Sequence, residues 1–72
     1  MNWNFRIIKT KEGFVDGRVY YNEDKSIYGY TTNPILFGES EEVLKWELNE
    51  RLKAFDKPIL EEDEQTETLK EI

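Results

Sequence analysis

Trp3, Phe5 and Ile7 alternate with Asn4, Arg6 and Ile8, the two-residue period of a half-buried strand. Lys9 to Gly13 is a polar break in which Gly13 is free to take the positive φ angle of a tight turn. A second strand runs from about Phe14 to Tyr21, with Val15, Val19 and Tyr21 on one face and Phe14, Asp16, Arg18 and Tyr20 on the other. Gly17, inside that strand, marks a bulge or a close approach of another backbone. Asn22-Glu23-Asp24-Lys25-Ser26 is a hairpin connection, and a third strand follows from Ile27 to Thr31 or Thr32. Asn33-Pro34 closes it, because proline has no amide hydrogen for a ladder.

The pattern then changes period. Leu44, Leu48, Leu52 and Phe55 recur at spacings of four, four and three within Ser40 to Phe55, a helical stripe. Ser40 stands at the N-cap position, Glu39, Glu41 and Glu42 match the positive end of the helix dipole, and Pro58 stops the run. Between the third strand and the helix, Ile35, Leu36 and Phe37 form an apolar bridge expected to wrap over the sheet edge. The expected fold is α+β: a three-stranded antiparallel meander with one amphipathic helix packed on it through the leucine stripe (β-β-β-α). Residues 1–60 form that single domain. Residues 61–72 carry six acids and only two aliphatic side chains, and are expected as a flexible acidic tail.

Composition narrows the chemistry. The 72 residues include no cysteine and no histidine, which removes disulfides, thiolate ligands and the commonest general base. Ten aromatic residues take over part of the stabilising role that disulfides play in other small domains. The net charge of −6 is uneven: residues 1–38 carry five basic and four acidic groups, for +1, and residues 39–72 five basic and twelve acidic, for −7. The second half should therefore repel long nucleic acids and anionic lipid and attract a basic protein. No stretch has the length of a membrane span and the N-terminus lacks a signal-peptide core, so the expected location is cytoplasmic.

Several motifs occur in a recognisable order: Trp3-Asn4-Phe5-Arg6, Val19-Tyr20-Tyr21, Gly29-Tyr30-Thr31, Asn33-Pro34, Gly38-Glu39-Ser40 and Lys57-Pro58-Ile59-Leu60. In this order the chain resembles a family of short, uncharacterised bacterial and phage proteins. The resemblance spans about residues 3–60 and implies a fold and a prokaryotic or viral origin, but no mechanism. It departs from the family at the Asn22–Ser26 turn, which lacks the glycine such turns often carry. A thinner architectural resemblance is to the HicB-type antitoxins, through the strand-to-helix entry Gly38-Glu39-Ser40-Glu41-Glu42.

Three surfaces are candidates for function. Trp46 lies nearly opposite the leucine stripe on the helical wheel, flanked by Val43, Glu50 and Ala54, and reads as a contact surface for a second copy or a foreign partner. Its plainer reading is a lone surface aromatic. Tyr20, Tyr28 and Tyr30 with Arg6 and Arg18 form an aromatic and cationic set that would stack on a ring ligand such as a small nucleotide; the plainer reading is cross-strand packing. The acidic arm Glu61 to Glu71, with Glu47, Glu50 and Asp56, would steer a basic partner, or simply keep the chain in solution. The scattered carboxylates show no spacing for a paired acid and base or for a calcium loop, so no catalytic residue, metal or cofactor is expected. The expected function is a small non-enzymatic binding or regulatory protein acting by protein contact. Its alternatives are an antitoxin or phage anti-defence inhibitor of a basic enzyme, and a nucleotide-sequestering protein.

Overall fold

The computed structural model describes residues 2–72; Met1, the first residue of the expected 1–60 domain, lies outside them. The chain runs β1 (Asn2–Thr10), β2 (Gly13–Tyr21), β3 (Ile27–Thr32), α1 (Glu41–Leu52), a 3-10 turn (Lys53–Asp56), β4 (Leu60–Asp63) and β5 (Thr68–Glu71). The strands form one sheet in the order β3-β2-β1-β4-β5. β1 pairs antiparallel with β2, from Asn2 opposite Tyr21 to Thr10 opposite Gly13, and parallel with β4, where Ile8 faces Leu60.

This overturns the expectation of a three-stranded meander with a loose acidic tail. The meander is only part of a five-stranded mixed sheet rolled into a half-barrel. Residues 61–72 supply most of β4 and all of β5, which pair antiparallel from Leu60 opposite Glu71 to Asp63 opposite Thr68. The physical reason is economy of anchors. A hairpin added at a sheet edge already finds backbone partners on its neighbour, so two well-placed leucines suffice. Leu60 is fully buried against Ile8 and Val19, and Leu69 packs on the same cluster.

Alternation along the strands divides the sheet into two faces. Ile8, Val15, Val19, Tyr30, Leu60 and Leu69 gather on the concave face. Gly17 lies there too, in regular register opposite Arg6 and Thr32; a Cβ at this position would strike the Ile8 Cδ1 and sit 3.1 Å from the Thr31 carbonyl oxygen. The close approach is present, and the bulge falls instead at Tyr20–Tyr21. Tyr30 on β3 donates a 2.7 Å hydrogen bond to Glu62 Oε2 on β4. Those strands stand three spacings apart, about 14 Å in a flat sheet, so the bond requires the sheet to curl. Arg6, also buried on this face, donates to Tyr21 Oη at 3.0 Å and to the Pro58 carbonyl at 2.6 Å, while Tyr21 donates to Asn4 Oδ1 at 2.8 Å.

The convex face carries Phe5 and Ile7, and the 3-10 turn lies on it with Ala54 completely buried between them. The β2–β3 turn is closed by Asn22 and Ser26: the Asn22 amide donates to the Ser26 carbonyl at 2.8 Å and the Lys25 amide to the Asn22 carbonyl at 2.9 Å. Lys25 adopts φ 72°, the left-handed conformation that glycine supplies in related turns. Among the described residues no helix is long and apolar enough to cross a membrane.

A candidate contact surface on the helix flank

Ser40 caps α1, its side chain accepting from the Val43 amide at 3.2 Å, with Glu41 and Glu42 in the first turn. The helix therefore begins where the capping residue and acidic turn direct it. Its orientation is different from the expected one. Leu48 is 44% exposed, Leu52 63% and Phe55 71%, and of the four-residue stripe Leu44 alone is half-buried, beside Gly38, so the stripe as a whole does not grip the sheet. The inward face is Glu47, Arg51 and Ala54, which places the helix roughly a quarter turn away from a leucine-down arrangement at 100° per residue.

Charge complementarity with β2 accounts for the rotation. Arg51 Nη1 donates to Asp16 Oδ2 at 2.8 Å, and Nη2 donates to Glu47 Oε1 at 3.1 Å and to the Ile35 carbonyl at 2.9 Å. Arg18 approaches Glu47 at 3.9 Å. The four charges sum to zero, and both guanidinium groups lie over aromatic rings: Arg51 5.0 Å from the Phe5 centroid, Arg18 4.8 Å from that of Trp3. Alternation puts Asp16 and Arg18 on the same face of β2, and the i, i+4 spacing puts Glu47 and Arg51 on the same face of α1. A polar helix face thus docks because the sheet presents its counter-charges.

Turning the helix this way leaves a groove along its free flank. Phe14 and Leu36 form one side, Leu48 and Phe55 the other, and buried Ile7 and half-buried Arg51 lie at its base. Leu52 continues the apolar rim one turn beyond Leu48. Ile35, Leu36 and Phe37, expected to cover the sheet edge, are all exposed instead. The Ile35 carbonyl accepts a hydrogen bond from Arg51.

The expected site residues separate. Trp46 is 56% exposed and Val43 is exposed, on the opposite flank of α1. A small depression there is lined by Trp3, Phe5, Trp46, Glu50, Lys53 and Lys57 with Asn4. Glu50 is half-buried and paired with Lys53 at 2.7 Å. Ala54, named with them as a contact residue, is buried in the core and cannot face a partner. The aromatic and cationic set is split between faces: Arg6 and Tyr30 are on the concave side, while Arg18 lies under the helix. Tyr20 and Tyr28 pack on each other with centroids 6.1 Å apart. No common ligand site results.

The acidic residues also change meaning. Glu47 is neutralised by Arg51, Glu50 by Lys53, and Glu64 stands 3.5 Å from Lys11. Glu62, Glu64 and Glu67 line one opening beside Tyr28 and Tyr30. There the Tyr30 hydroxyl is pushed up to about 12, by burial first, then by its hydrogen bond to Glu62 and the charges of Glu62, Glu67 and Asp63. Among the described residues no group of acidic side chains is arranged to hold a metal ion.

The helical period does not reveal this groove, because it points Leu48, Leu52 and Phe55 inward. One signal for it was present: two opposite charges at strand spacing, Asp16 and Arg18, and two at helical spacing, Glu47 and Arg51. No protein-family model, curated protein or solved structure matches this chain.

Proposed function

We propose that this is a small non-enzymatic binding protein that works by protein–protein contact, and that its contact surface is the apolar flank of α1 with Phe14 and Leu36. The carrying observation is the outward stripe Leu48, Leu52 and Phe55, left exposed beside a charged face whose carboxylates Asp16 and Glu47 are both paired with Arg51. Contiguous exposed apolar side chains of this kind mark interaction sites on small domains. The test compares the tagged chain with its Leu52→Glu variant in capture from the native host, followed by titration with the purified captured protein. Binding to the wild type, lost in the variant, supports the flank as the contact surface. Equal binding by both contradicts it.

A second reading rests on the opening lined by Glu62, Glu64 and Glu67. This acidic mouth suits a basic partner, in the manner of an antitoxin or a phage anti-defence inhibitor of a basic enzyme. Binding of that kind weakens steeply as salt rises, whereas flank-mediated binding does not.

A further inference from the structure

We propose that the occupant of the α1 flank is a second copy of this chain, with the two α1 helices antiparallel across a two-fold axis. The inference rests on the flank being a docking surface and names what docks there.

Area is the first support. Phe14, Leu36, Leu48, Leu52 and Phe55 are all exposed, and their fractional exposures correspond to about 600 Å² of surface per chain, against the ~600–1,000 Å² per partner of a stable interface. The neighbouring Ile35 and Phe37 are more than half exposed and extend the patch. The second support is the size of the single-chain core: six apolar residues are buried among those described. Domains this small commonly gain the missing burial by oligomerising.

Charge placement selects self-association and its direction. Lys45 precedes and Asp56 follows the Leu48–Leu52 pair, and neither has an ion-pair partner among the described residues. Asp56 lies in the 3-10 turn that continues α1, and allowing for its longer rise the midpoint of Lys45 and Asp56 falls about 2 Å from the midpoint of Leu48 and Leu52. A two-fold axis at that level sets Leu48 of one chain beside Leu52 of the other. It brings Lys45 of each chain towards Asp56 of its partner, and does so twice. A patch that satisfies itself under a two-fold rotation is the requirement for an isologous dimer. The −6 on each chain opposes association at long range, and added salt screens this repulsion together with the two exposed ion pairs.

The test is sedimentation equilibrium of the full chain over roughly 5–500 µM. The expected result is a monomer–dimer equilibrium for the wild type. Leu52→Glu should weaken it more than about thirtyfold, as loss of a central anchor does, with an unchanged far-ultraviolet circular dichroism spectrum. Asp56→Lys should weaken it about three- to tenfold, and Lys45→Glu in the same chain should restore it. A wild type that stays monomeric throughout overturns the proposal. So does a dimer indifferent to Leu52→Glu, or a charge swap that restores nothing. If the wild type is monomeric but binds a different purified protein through Leu52, the second copy is refuted while the docking surface stands.

Discussion

Arg51 on α1 and Asp16 on β2 meet in a 2.8 Å ion pair across 35 residues of chain, and this contact governs which side of the helix reaches the solvent. Arg51 also binds Glu47 and the Ile35 carbonyl, so one guanidinium joins the helix, the second strand and the loop from β3 into the helix. Removing it strands two carboxylates in a partly buried site. Arg51→Met should cost about 2–4 kcal/mol, somewhat less than the ~3–5 kcal/mol of a fully buried pair because Asp16 is partly exposed. A double-mutant cycle with Asp16→Asn, read by denaturant unfolding, should give a coupling of about 1–2 kcal/mol. Additive effects would mean the pair does not hold the helix.

Tyr30 predicts an alkaline limb of stability. Its hydroxyl loses its proton near pH 10 in the unfolded chain but only at about 12 in the folded one. The folded state therefore binds the proton more tightly. Its contribution is complete below pH 10 and is lost as pH rises towards 12. Tyr30→Phe should cost about 1 kcal/mol at neutral pH through the lost hydrogen bond to Glu62, and should flatten the fall in denaturant midpoint between pH 10 and 12. An unchanged slope would show that the Tyr30–Glu62 bond does not close the half-barrel.

Lys25 holds a left-handed backbone, φ 72°, at a cost glycine does not bear. Lys25→Gly should raise stability by about 0.5–1 kcal/mol. Thermal melting checks this, and a loss of stability would show that the turn is not the one described.

Leu60 is buried on β4, opposite Ile8. Leu60→Ala should cost about 2–5 kcal/mol, and deletion of residues 61–72 should uncover the β1 edge and lower the melting temperature by about 10 °C or more. A truncated chain that melts like the full one would return these residues to the solvent.

Period and punctuation made the first three strands, the Asn22–Ser26 turn and the Ser40 cap legible, because each depends on neighbours within a few residues. What failed depended on partners far along the chain. Residues 61–72 look too polar to fold when read alone, yet Glu62 is satisfied by Tyr30 and Leu69 packs on the cluster of Ile8, Val19 and Leu60. The helix looks leucine-down for the same reason: its hydrophobic period ranks faces by apolarity and cannot see that Asp16 and Arg18 neutralise a charged one. With the leucine stripe facing inward there is no groove, and Trp46 on the far flank becomes the outward residue that stands out.

The most direct test compares Leu52→Ala with Ala54→Leu by denaturant unfolding, at a protein concentration low enough for the chain to be monomeric. With the helix docked through its charged face, Leu52→Ala should shift stability by less than about 1 kcal/mol, while the added bulk of Ala54→Leu against Phe5 and Ile7 should cost about 1–3 kcal/mol or more. A Leu52→Ala loss of the size expected for a core leucine, with Ala54→Leu tolerated, would contradict the account.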